Sequence, residues 1–288
     1  VGSSTLFGLL LDDFSQLRLI QLIQGAAVVT MALNLVALWK QESRDPGRTR
    51  GLAKSPDFGV VWRDYVHAGR TGRMLVALGL GTAGFSMQDI LLEPYGGQVL
   101  GLTVGATTAL TALLAGGTLL AFALAARHLG RGGDPYRLSA IGALIGIFAF
   151  TLVIFAAPLT SAQLFRAGAF LIGFGGGLFA VGTLTAAMDQ AAEGYHGLAL
   201  GAWGAVQATA AGLAIALGGV LRDLVAGLAE QGLLGAVLNS PATGYGVVYH
   251  FEIGLLFATL VAIGPLVGTR RRPETSMSTR FGLADFPG

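Results

Sequence analysis

Seven uninterrupted apolar windows run through this chain and leave it few ways to fold. They are Leu17–Trp39, Met74–Leu92, Val99–Ala126, Leu138–Ala157, Leu164–Ala187, Leu198–Leu221 and Gly246–Gly268. Crossing ~30 Å of hydrocarbon takes about 20 helical residues at ~1.5 Å each. In lipid every main-chain N–H and C=O must be satisfied by the protein itself, so spans are helices or strands of a closed barrel. Barrel strands would read as short segments of alternating polarity, and these windows are continuous. The expected fold is therefore an all-α, polytopic membrane protein with about seven transmembrane helices. Hydrophobic residues make up 53% and charged residues 12%, about half the charge of a soluble domain. That apolar content excludes disorder.

The basic residues then set a topology. If the segment after the first window is cytoplasmic, one side holds Lys40 to Arg73 with eight Lys/Arg, Arg127 to Arg137 with three and Arg270 to Arg280 with four. The other side holds Arg18, Arg166 and Arg222. Fifteen against three is a strong positive-inside asymmetry and puts the C-terminus in the cytoplasm. These cations flank apolar segments, so they read as topology determinants and lipid-surface contacts, with no nucleic-acid partner. There is no cysteine, which excludes disulfides, zinc–thiolate sites and a thiol nucleophile.

Residues 40–73 read as a linker between two bundles. Within it Phe58, Val60, Val61, Trp62, Tyr65 and Val66 mix with Arg63, Asp64 and Arg70, the composition of an interfacial helix; a solvated linker with one short helix is the plainer alternative. Leu224 to Leu234 could form a short surface helix on the opposite side. The opening run Val1 to Leu11 reads as the tail of a span already in progress, with no basic signal-peptide segment, so a preceding portion is expected. Dense glycine within the windows, as at Gly116-Gly117, Gly173, Gly175-Gly176-Gly177 and Gly218-Gly219, lets helices approach closely, with hinge points as the alternative reading.

The chemistry concentrates in Gln88-Asp89-Ile90-Leu91-Leu92-Glu93-Pro94-Tyr95-Gly96-Gly97. Asp89 and Glu93 are four apart and share a helix face, where like charges repel and demand a cation, a partner's donor or a shared proton. Pro94 and Gly96-Gly97 are expected to break the helix. A helix end simply facing water is the plainer reading; a partner- or ligand-facing site is preferred. No enzyme constellation emerges: there is no Walker loop, G-x-S-x-G or HExxH.

This stretch resembles the signature of the PucC/LhaA group of bacteriochlorophyll-delivery, or light-harvesting-complex assembly, proteins of purple phototrophs, a branch of the major facilitator superfamily. The likeness continues through Phe7-Gly8-Leu9-Leu10-Leu11-Asp12-Asp13-Phe14-Ser15, Gln24-Gly25-Ala26-Ala27, Ala37-Leu38-Trp39-Lys40-Gln41-Glu42, Phe174-Gly175-Gly176-Gly177-Leu178-Phe179 and Gly201-Ala202-Trp203-Gly204-Ala205-Val206-Gln207-Ala208. It implies a major-facilitator-like bundle of which this chain carries the C-terminal half plus the preceding helix. Residues 1–39 would end the N-terminal bundle, 40–73 form the cytoplasmic linker, 74–268 the C-terminal six-helix bundle and 269–288 the cytoplasmic tail. Arg127 to Arg137, with Gly130, Gly132-Gly133 and Asp134, resembles a degenerate facilitator loop that locks helix ends; a basic topology loop is the plainer reading.

What the resemblance implies of function is an assembly factor in the bacterial inner, intracytoplasmic photosynthetic membrane. It would scaffold LH1/LH2 antenna polypeptides, with the reaction centre and bacteriochlorophyll synthase as further partners, and deliver bacteriochlorophyll or a precursor. Gln88, Asp89, Glu93, Pro94, Tyr95, Gly96 and Gly97 are the expected partner- or pigment-binding residues, and His196, His250 and Glu252 candidate pigment ligands. Neither a redox cofactor nor a structural metal is expected. The alternatives are a secondary transporter with Asp89 and Glu93 coupled to protons, and a permanent structural subunit of a photosynthetic complex.

Overall fold

The computed structural model describes residues 16–39, 57–67, 70–190 and 196–268. The likeness at Phe7–Ser15, most of the linker, the side chain of His196 and the tail lie outside the described residues. Among the described residues every regular element is helical.

The chain divides into two compact units, residues 1–61 and 62–288. The first carries helix α1, Gln16–Trp39. Its sequence is strongly apolar over Ile20–Ala37, long enough to cross a membrane. Helix α2, Phe58–His67, follows; in its second half Tyr65 is buried beside Trp62, their rings 6.2 Å apart, and joins a core with Met74, Leu75 and Leu266. An amphipathic helix thus stands where the sequence pattern places one.

The second unit is built from α3, Thr71–Ser86, a 3-10 turn at Met87–Ile90 and α4, Leu92–Gln98, then α5, Val104–Leu129, α6, Pro135–Ala156, α7, Ala162–Gln190, α8, His196–Glu230, and α9, Pro241–Ile263. Six helices (α1 and α5 to α9) are long and apolar enough to cross a membrane, and α3 with α4 makes a seventh span bent by 40°. Six of the seven windows thus coincide with single long helices, and Met74–Leu92 with the bent pair.

Without a hydrophobic force between helices in lipid, close main-chain approach holds the bundle together. Helix α7 touches α5 on one side and α6 on the other through glycine. A Cβ on Gly117 would lie 2.1 Å from the Phe170 carbonyl oxygen, and one on Gly173 2.1 Å from that of Leu114. On the α6 side, Cβ atoms on Gly142 and Gly175 would meet each other's carbonyl oxygens at 2.6 and 2.7 Å. Thr118 Oγ1 donates across the α5–α7 seam to the Gly173 carbonyl at 3.1 Å.

Two helix starts follow local rules. Asp134 caps α6, accepting from the N–H groups of Tyr136 and Arg137 at 2.9 and 3.4 Å, with Pro135 at the first helical position. Ser240 and Pro241 repeat the pattern for α9. These residues combine a side-chain acceptor with a helical φ at a position whose N–H needs no partner.

Three expectations are corrected. The third span begins at Val104 instead of Val99, because Thr103 caps it by accepting from the Ala106 N–H. No separate helix forms at Leu224 to Leu234. Helix α8 runs unbroken through Leu224 to Glu230 and the chain turns at Gly232, φ 72°; nothing between Asp223 and Glu230 breaks a helix. Finally, Pro94 does not end its helix. It sits in the first turn of α4, where the missing N–H costs nothing, and the break lies earlier, at Met87–Leu91.

Candidate functional site

The broken span sorts its side chains by helical period. Gln88, Leu91, Leu92, Tyr95 and Gly96 are buried; Asp89, Ile90, Glu93, Pro94, Gly97 and Gln98 are exposed. The signature stretch thus has an inner and an outer face, and the two carboxylates lie on the outer one. There Asp89 Oδ1 accepts from Gln88 Nε2, and Glu93 Oε1 accepts from Thr111 Oγ1 of α5 at 2.8 Å. Gly97 has open space around it, whereas a Cβ on Gly96 would meet the Phe165 ring at 3.0 Å.

The inner face meets α9. The main-chain N–H of Gln88 donates to Glu252 Oε1 at 2.7 Å. Glu252 stands midway along α9 and is 0% exposed. Opposite, the 3-10 turn presses on α8, where a Cβ on Gly218 would lie 3.0 Å from the Met87 carbonyl oxygen. Three buried oxygens in this region lack partners: Gln88 Oε1, Tyr249 Oη and Glu252 Oε2.

Beside them lies a cluster of aromatic rings. Tyr95 meets Tyr245 and Tyr249 edge-on, at 5.4 and 5.5 Å between centroids, and Phe150 stacks on Tyr249 at 6.2 Å. The Tyr95 hydroxyl donates to the Val153 carbonyl at 3.1 Å. At the end of α4, Gln98 Oε1 accepts from the Tyr245 hydroxyl at 2.7 Å and from Arg222 at 2.9 Å. The Arg222 guanidinium lies 4.6 Å above the Tyr245 ring and pairs with Asp223 at 2.7 Å. Residues from α4, α8 and α9 thereby fasten the C-terminal end of the broken span.

Glu252 is enclosed against Gln88, while His250, two residues away, is exposed on the opposite side of α9 with Nδ1 2.7 Å from the Gly246 carbonyl oxygen. Since a carbonyl can only accept, Nδ1 is the donor in this contact. Nearby aromatic residues serve packing: Phe179 is buried, half-buried Phe174 stacks on Phe170, and half-buried Trp203 donates to Thr183 Oγ1 at 3.3 Å. Among the described residues no group of three or more His, Cys, Asp or Glu could hold a metal ion.

The contact of Gln88 with Glu252 and the Arg222–Gln98–Tyr245 fastening were not foreseen. The one signal for them is the spacing of Tyr245, Tyr249 and Glu252, which places three polar groups on one face of an apolar helix.

The chain has recognisable kin. The family model described as PUCC protein matches residues 1–271. A Rhodobacter capsulatus protein described as "Uncharacterized protein in puhA-bchM intergenic region" is 50% identical over 293 residues, covering 99% of this chain and 60% of that protein. Protein PucC of Cereibacter sphaeroides is 47% identical over 261 residues, 91% of this chain and 56% of that one. A Rhodobacter capsulatus protein named "Bacteriochlorophyll synthase 44.5 kDa chain" is 30% identical over 274 residues, 89% of this chain and 59% of that one. The chain therefore spans less than two thirds of the length of these relatives. No solved structure matches it. With a family model running over almost its whole length and half of its residues shared with a relative, this multi-pass membrane chain belongs to the PUCC protein family.

Proposed function

We propose that the chain works in the biogenesis of photosynthetic light-harvesting complexes, as a non-catalytic scaffold within the photosynthetic membrane. In this reading it forms the C-terminal part of a major-facilitator-like protein and holds newly inserted antenna polypeptides beside it. The reaction centre and bacteriochlorophyll synthase are further partners. Family membership supplies the context. The observation that carries the reading is the outer face of the broken span: Asp89, Ile90, Glu93, Pro94 and Gly97 lie outward in one patch. A carboxylate on a lipid-facing helix is expensive unless another chain covers it, and the fixed bend holds this patch in one place.

Bacteriochlorophyll delivery is the finer part of the proposal. Bacteriochlorophyll would bring a magnesium ion that takes a nitrogen donor. Exposed His250 would be the residue to hold it, its ring oriented by the bond from Nδ1 to the Gly246 carbonyl. Gly246 and Gly254, one turn to either side, leave the helix surface low beside the ring, with open space at a Cβ built on either.

The test is purification of the chain from photosynthetic membranes in mild detergent. Antenna polypeptides that co-elute, together with bacteriochlorophyll absorbance, are the expected result. A colourless protein without antenna polypeptides that catalyses proton-coupled solute uptake would replace this reading with the transporter. That alternative draws on one observation, a helix broken within the bundle beside a buried carboxylate.

A further inference from the structure

Glu252 is the least expected side chain of the bundle. It is fully enclosed, and the charged group next along the segment it touches is another carboxylate, Asp89, on that segment's exposed face. Among the described residues no Lys, Arg or His bonds to it; its one hydrogen bond comes from the Gln88 main chain. The remaining titratable groups nearby are Tyr249 on its own helix and Tyr95 and Tyr245 beyond, while α3, α6 and α8 present Phe85, Phe150 and Ala214 to this core.

A count of hydrogens sharpens the problem. Gln88 Oε1 and an ionised Glu252 Oε2 can only accept, and Tyr249 Oη has one hydrogen to give. Of the three buried oxygens without partners, only Tyr249 Oη carries a hydrogen, and an ionised Glu252 adds a negative charge. A single added positive charge resolves both deficits. As a proton it cancels the charge and supplies the second hydrogen. As a sodium ion it cancels the charge and takes oxygen ligands directly.

We propose that Gln88, Tyr249 and Glu252 form a buried site for one monovalent cation, a proton or a sodium ion, seated at the break in the α3–α4 span. The Gln88 N–H ties the site to the bend, so its occupancy bears on the corner that carries Asp89 and Glu93. The proposal stands whether or not the chain scaffolds antenna polypeptides.

Infrared spectroscopy of the purified chain at pH 7 tests it. In sodium-free choline buffer the wild type should show one carboxylic-acid C=O band that Glu252→Gln lacks. If sodium chloride at the same pH removes the band, sodium takes the site; if the band persists, the proton holds it. A wild-type spectrum without such a band, or a band that Glu252→Gln leaves in place, overturns the proposal. The amide of Glu252→Gln keeps an acceptor for the Gln88 N–H and adds hydrogens. Should that variant still fail to fold, Tyr249→Phe keeps the acid and removes one neighbouring oxygen. The band should then shift in frequency, and an unmoved band overturns the proposal.

Discussion

At the scale of single residues, adjacent glycines of one type do opposite things. A Cβ on Gly117 would strike the Phe170 carbonyl oxygen at 2.1 Å, while one on Gly116 meets nothing within 4 Å. Gly117→Ala must push α5 from α7 against a rigid main chain and is expected to cost about 1–3 kcal/mol. Gly116→Ala removes a flexible residue from an open helix face and is expected to be neutral or stabilising by up to ~1 kcal/mol. Thermal unfolding of the two variants in the same detergent checks the pair; equal losses would mean that the α5–α7 seam is not where the structure places it. The density of glycine was legible in the sequence, and so was its meaning as close packing. Which glycine of a pair faces a neighbour was not, because that depends on helix rotation, which a helix apolar on every side leaves unmarked. The same reason hid Glu252: nothing along the chain pairs it with Gln88, 164 residues away.

Helix starts rest on local groups where a cap precedes a proline. Asp134-Pro135 and Ser240-Pro241 carry that signal, although the apolar windows place the two starts later, at Leu138 and Gly246. The break in the α3–α4 span was misplaced because Pro94 and Gly96-Gly97 look like breakers, whereas the bend is set by remote contacts with Gly218 and Glu252. Asp134 also shows what the Gly- and Arg-rich loop does. One carboxylate oxygen caps α6, and the other accepts from the Gly268 N–H at 2.6 Å, tying the end of the chain's last span to the start of α6. Asp134→Ala should therefore cost about 1–2 kcal/mol. Asp134→Asn, which keeps an acceptor for the cap, should recover most of it. Thermal unfolding of both variants checks this, and an alanine variant as stable as wild type would reduce the loop to a plain basic connection. The fastening at the other end makes a parallel case: Gln98→Ala leaves Arg222 and the Tyr245 hydroxyl without a shared acceptor. It should raise protease or hydrogen-exchange accessibility of Leu92–Gln98 before the rest of the bundle responds.

For the whole molecule, the count of spans was legible because lipid imposes a length and a polarity on each segment separately. Their arrangement was not, since it rests on glycine seams and on buried contacts between distant helices. Orientation comes from the fifteen-to-three split of basic residues, and the structure makes that split testable. Three spans, α6, α7 and α8, separate Arg131 from Val237, so an odd number of crossings puts these residues on opposite faces. Both are exposed, Val237 at 94%. Because the chain has no cysteine, Arg131→Cys and Val237→Cys each create a unique thiol outside the packed core. A membrane-impermeant maleimide applied to intact cells should modify the Val237→Cys protein at once and the Arg131→Cys protein only after the membrane is opened. The reverse result would invert the orientation while keeping the crossings. Labelling of both from one side would mean that one of the three helices does not span, and with it the bundle that positions the broken span would fall.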